Sequence, residues 1–307
     1  MSRFILVGLI ALGWRANGVD AQTLRTVLAE NEIDAVNGVA GLDRMIAGFA
    51  VHDSKERFIV AFYFADEERL PSEPLHVSLL NKATRSWRHG VVSRQQQLAD
   101  GPILLGSIQN IVSSPRFVYV ESHLNPSASL LVALRARDLS LVKIAAGWIR
   151  VLLPDDRVVV EDNQIHFAPT HPAALSTFDP ATRRTTALYP SRPPGPIRRA
   201  YIERVRQVYQ QLGDDWLRAH NHHGDPEQFD SSIAEPIVVE ASGRSIAFVA
   251  RWGSNQSGET STPQLDVVVV CSLAPRSTHC TESLLSDSQR DHPGWSTEQL
   301  LRNALRP

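Results

Sequence analysis

The densest group of potential metal ligands is His220-Asn221-His222-His223-Gly224-Asp225-Pro226-Glu227, followed by Asp230. Imidazole and carboxylate together suit zinc, copper or nickel, and a helix running this far puts His220 and His223 on one face. A divalent metal held by His220, His222, His223 and Asp225 would activate a bound water for hydrolysis. The same residues also fit a solvated helix end, with histidine complementing the C-terminal dipole, Gly224 stopping the helix and Asp-Pro opening a turn. Their spacing matches no established metal signature.

Other chemistry leaves fainter marks. Neither G-x-S-x-G nor a phosphate-binding glycine loop occurs. Gly243-Arg244-Ser245 has the composition of a hairpin turn, and Trp252-Gly253-Ser254-Asn255-Gln256-Ser257-Gly258 that of a polar loop carrying an Asn-x-Ser sequon. Glu161 and Asp162 fall at a strand end, where solvent explains them. A glycosidic acid/base pair drawn from separate strands would leave no local motif, so no catalytic residue and no cofactor is assigned. The two cysteines, Cys271 and Cys280, form an even pair at short separation without C-x-x-C spacing. They predict a disulfide formed in an oxidising compartment, stapling a hairpin by about 2–3 kcal/mol in the loop-entropy picture.

The elements that must position these groups are mostly strands. Met45 to Asp53, Arg57 to Asp66, Pro74 to Leu80 and Ser86 to Val92 are apolar runs separated by polar turns. A second set lies near Ile108 to Ser113, Arg116 to His123, Leu130 to Arg135 and Leu141 to Ala146. A third spans Arg150 to Pro190, and a fourth, holding both cysteines, Ile233 to Leu284. After Ser191-Arg192-Pro193-Pro194-Gly195-Pro196 the pattern changes. Ile197, Ala200, Tyr201, Val205, Val208, Tyr209, Leu212 and Trp216 recur at three- and four-residue steps, predicting an inserted amphipathic helix with Pro196 in its first turn. Short helices are expected at Gln22 to Glu30 and Ser296 to Leu305, the latter opened by a Ser296–Gln299 capping box.

Four strands per repeat of roughly 40–50 residues is the pattern of propeller blades. The corners Leu80-Asn81-Lys82-Ala83-Thr84 and Phe178-Asp179-Pro180-Ala181-Thr182 are similar to the (L/F)-D-x-x-T turn of β-propellers of the quinoprotein, YVTN and TolB-like kind. The resemblance covers residues 45–190 and 233–284. It implies an all-β dominated, propeller-like array of about four four-stranded blades, with a β-sandwich or an open arc of sheets as the alternatives. The chain then divides into residues 22–44 as an N-terminal helical segment, 45–190 as three blade-like copies, 191–232 as the helical insertion with the His-rich loop, 233–290 as the fourth copy and 291–307 as a C-terminal helix.

Arg3, the apolar run Phe4 to Trp14 and the ending Val19-Asp20-Ala21 predict a signal peptide over residues 1–21, cleaved at Ala21–Gln22. Eleven apolar residues span about 16 Å as a helix, short of a hydrocarbon core roughly 30 Å thick. No transmembrane anchor is expected, and the product is expected in a periplasm or outside the cell. The full chain carries 31 basic and 33 acidic residues; without Arg3, Arg15 and Asp20 the balance is 29 against 32. That net charge offers no footprint for nucleic acid or an anionic membrane. Three functions fit these features: a binding scaffold that takes a protein or small ligand at a propeller rim or channel, a metal-dependent hydrolase at the His-rich loop, and a structural component of an envelope complex.

Overall fold

In a computed structural model of the chain, the described residues are 21–30, 46–66, 74–98, 101–125, 128–161, 174–190, 194–213, 231–253, 264–273 and 279–306. They are mostly β, and they fall into two compact units: residues 1–149 with 180–183, and residues 150–179 with 184–307.

In the first unit, β1 (Ile46–Asp53), β2 (Arg57–Phe64), β3 (Leu75–Asn81) and β4 (Ser86–Val92) form an antiparallel meander in chain order. The unbroken apolar run of β2 follows from its two buried faces. Phe58, Val60, Phe62 and Phe64 pack with Leu24 and Leu28 of α1 (Ala21–Glu30), whereas Ile59, Ala61 and Tyr63 join a second core. Because successive side chains alternate between faces, one strand serves both. The second core is shared with β7 (Ser107–Ser113), β8 (Phe117–Asn125), β9 (Ala128–Arg135) and β10 (Leu141–Ala146), another meander in chain order. Between these two sheets in the chain comes a two-stranded ribbon of β5 (Gln95–Leu98) and β6 (Gly101–Leu104) that the sequence pattern did not predict. The corner after β3 forms as expected: Asn81 Oδ1 accepts hydrogen bonds from the backbone N–H groups of Ala83 (3.0 Å) and Thr84 (3.1 Å).

Two more four-stranded meanders follow. The third comprises β11 (Trp148–Leu152), β12 (Val158–Glu161), β13 (Leu175–Asp179) and β14 (Arg184–Tyr189). The fourth comprises β15 (Ser231–Val239), β16 (Ser245–Trp252), β17 (Leu265–Ser272) and β18 (His279–Leu284). The inserted helix, α2 (Pro196–Leu212), starts with Pro196 in its first turn. It buries Tyr201, Ile202, Val205 and Tyr209 in the second unit's core, with Phe248 and Trp252 of β16 and Val267 and Val269 of β17. Ala200, expected on the buried stripe, is exposed, and Ile202 is buried in its place. Trp216 lies outside the described residues.

The opposite face of the fourth sheet is covered by Leu285 of α3 (Leu285–Asp291), a helix the strand pattern did not predict, and by Leu300 and Leu301 of α4 (Thr297–Ala304). The capping box of α4 is present: Ser296 Oγ accepts from Gln299 N–H (3.3 Å), and Gln299 Oε1 accepts from Ser296 N–H (2.8 Å). Cys271 and Cys280 face each other across β17 and β18 and are joined by a disulfide. Among the described residues no helix is long and apolar enough to cross a membrane. The segment expected to be a signal peptide, residues 1–21, lies outside the described residues, except for Ala21, where α1 begins.

Candidate functional site

Polar groups in the second unit converge where β11 and β15, the edge strands of their sheets, each supply a wall. Arg150 of β11 pairs with Glu161 of β12 through its Nε and Nη2, and donates from Nη1 to Glu235 Oε1 at 3.2 Å. Glu235 reaches this position from an irregular stretch of β15. Ala234 pairs with Val249 and Val238 with Ala247, so three residues, Glu235 to Ile237, span the length that Phe248 alone occupies on β16. Bulges of this kind re-aim side chains. Exposure grades from the interior outward: the Glu161 side chain is 7% exposed, Arg150 24% and Glu235 71%. Burial pushes the Glu161 carboxyl above its ordinary value; Arg150 opposes the rise and Glu235 adds to it. The expectation that solvent accounts for Glu161 is thereby corrected, because the strand end it occupies is buried and its charge is met by a guanidinium. Asp162 lies outside the described residues.

Beside this triad opens a cleft of about 470 Å³, a size that suits a small ligand or a few residues of peptide. Val151, Leu152 and Pro154 form one wall and the stretch from Pro236 to Val239 the other, while Glu240, Glu298 and Arg302 add charge. Arg302 donates from Nη2 to Glu298 Oε1 at 2.6 Å. Glu240 has no side-chain partner among the described residues. The combination is an apolar trough with a charged margin.

The first unit holds two further clusters. Glu121 Oε2 accepts from Ile149 N–H at 2.9 Å, and Ser129 donates to Glu121 Oε1 at 3.4 Å. With its proton so directed, the Ser129 hydroxyl accepts from His123 Nδ1–H at 3.1 Å. Burial lowers the His123 pKa. This carboxylate–hydroxyl–imidazole chain fastens the start of β11, and its serine is fully buried, so a reactant has no approach to the hydroxyl. On another sheet Ser78 Oγ lies 2.9 Å from His89 Nδ1 in a directly opposed cross-strand pair. Phe62, His76 and Val91 border them in a cleft of about 150 Å³. The hydroxyl and the imidazole come from different strands here, which is why no local motif announced the pair, and among the described residues no third polar group orients the imidazole.

A half-buried carboxylate, Glu282 of β18, approaches the start of α2, where a Cβ on Gly195 would lie 2.9 Å from its Oε2. Burial raises the Glu282 carboxyl, and the backbone N–H and charge of Arg198 oppose that rise. Gly195 has no side chain to cap α2, and Glu282 supplies negative charge where the helix dipole favours it.

His220, His222, His223 and Asp225 lie outside the described residues; within those residues no group of three or more potential ligands is placed to hold a metal. The Gly243 turn forms as expected, with Gly243 at φ +69°. Trp252, expected in a polar loop, is the buried last residue of β16. In comparisons with known proteins, the chain matches no family model and no curated protein.

Proposed function

We propose that this chain is an exported, non-enzymatic binding scaffold, a propeller-like array of four-stranded sheets whose ligand seat is the cleft between β11 and β15. The observation that carries the reading is the trough itself: apolar walls from two edge strands, with a charged margin formed by Glu240, Glu298 and Arg302. Two features favour binding over catalysis. The carboxylates of Glu121, Glu161 and Glu282 each serve the fold, at a strand start, on Arg150 and at a helix start, and the buried Ser129 has no open approach. The repeated meander and the Asn81 and Asp179 corners support the propeller-like description, and the disulfide supports export.

Nile red, an uncharged apolar dye that fluoresces on leaving water, is the first probe. About one dye should bind per chain of residues 22–307. Leu152→Glu, at a half-buried wall position outside the core cluster, should weaken binding at least about tenfold, since charge in an apolar seat is poorly tolerated. Val91→Glu, in the first unit, should leave it unchanged. Equal binding by the wild type and Leu152→Glu would remove the cleft as the seat.

A further inference from the structure

The near-neutral balance of the whole chain conceals a strongly basic end on the first unit. Its turns at residues 54–56, 82–85, 114–116, 136–140 and 180–183 are tied together at one end of the sheets. Arg57 donates to the carbonyls of Ser114 (2.6 Å) and Pro115 (2.7 Å), Arg88 to that of Ala136 (3.1 Å) and Lys143 to that of Arg183 (2.9 Å). Among this unit's residues in or within three positions of these turns, ten are lysine or arginine and three are acidic. Those ten come from only 31 basic residues in the chain, and the three from 33 acidic ones. Asp53 is taken by Lys82 and Asp138 by Arg137. Arg57, Arg88 and Lys143 spend hydrogen bonds on carbonyls and keep their charge. Lys55, Arg85 and Arg183 are exposed and have no side-chain partner among the described residues.

A second observation points the same way. Arg85 (φ +52°) and Arg183 (φ +60°) hold equivalent places in the turns Asn81-Lys82-Ala83-Thr84-Arg85 and Asp179-Pro180-Ala181-Thr182-Arg183. Both are in the left-handed region, which glycine or asparagine occupies at lower cost. Leu139 (φ +55°), in the turn at residues 136–140, shares that conformation, so the left-handed backbone belongs to the turns, and what the two arginines add is an exposed cation at each tip.

We infer that this end is a docking surface for an anionic phospholipid bilayer, bound peripherally through the headgroups. The cations are spread in two dimensions, over strands about 4.8 Å apart and sheets about 10 Å apart, which fits a plane of charge better than a single strand of polymer. Leu141, 40% exposed at the start of β10, is the exposed large apolar side chain at this end. A single-stranded polyanion would be met by aromatic stacking platforms, and none of the exposed large apolar residues at this end is aromatic.

The test is co-sedimentation of residues 22–307 with sucrose-loaded vesicles. Binding is expected with about 30% phosphatidylglycerol in phosphatidylcholine, little with phosphatidylcholine alone, and release at about 1 M salt, where screening acts over about 3 Å. Lys55→Glu/Arg85→Glu/Arg183→Glu should weaken binding at least about thirtyfold, and the glutamine triple variant should fall between. Their circular dichroism melts check that both are folded. Arg199→Glu/Arg204→Glu, on the exposed face of α2, should bind as wild type. Equal pelleting with neutral vesicles, or undiminished binding by the folded triple variants, would overturn the inference. So would retention on immobilised heparin without vesicle binding, which would assign the surface to an anionic polysaccharide.

Discussion

Glu161 shows how one side chain can look solvated in sequence and be buried in the fold. Its carboxyl is raised chiefly by burial from an ordinary value of 4.5, with Arg150 opposing. A group that holds its proton more tightly when folded stabilises most below its unfolded pKa, and that contribution is lost as pH climbs through the raised folded value. Glu161→Gln cannot titrate. Urea unfolding at pH 4 and pH 7 should therefore show wild type losing stability relative to Glu161→Gln on going to the higher pH. A change of the opposite sign would mean that the ion pair with Arg150, rather than burial, dominates. The residue was visible in the sequence and its surroundings were not, since Arg150 lies 11 positions before it and Glu235 lies 85 positions after Arg150.

At the scale of the element, the strands were legible because their causes are local. The run Arg57 to Phe64 is bounded by the Ser54-Lys55-Glu56 turn, and Cys271 and Cys280 had to meet if Val267 to Leu284 folded as a hairpin. Opening that bridge, as Cys271→Ala/Cys280→Ala, should cost about 2–3 kcal/mol in chemical denaturation; an unchanged midpoint would mean that β17 and β18 are held by packing alone. A different constraint acts at Gly106, between β6 and β7. A Cβ there would sit 1.8 Å from the carbonyl oxygen of His123, and the Gly106 N–H donates to Ser122 Oγ at 2.8 Å. Gly106→Ala should destabilise the protein by about 3 kcal/mol, the upper end of overpacking penalties, seen as a lowered melting temperature. Nothing local marked this glycine, because its neighbour comes from another strand.

For the whole molecule, the binding reading and the hydrolase reading part company over metal. Elemental analysis of untagged residues 22–307 from an exporting host should find no stoichiometric zinc, copper or nickel. About one such ion per chain, lost in His222→Ala/His223→Ala, would instead place metal-assisted hydrolysis at the His-rich segment first. Edman sequencing of the exported product should begin at Gln22, and a chain that retains Met1 would contradict cleavage.

Composition, periodicity and turn chemistry by themselves determined a β-dominated chain, the strand runs, the inserted helix, the capping box at Ser296 and the cysteine pair, because each depends on neighbours a few residues apart. Only tertiary structure decided that Arg150 joins Glu161 to Glu235, that Ser78 faces His89, that β11 and β15 wall one cleft and that ten cations gather in and beside five turns at one end. Those groupings depend on which distant strands the packing brings together, and a periodic pattern carries no record of that choice.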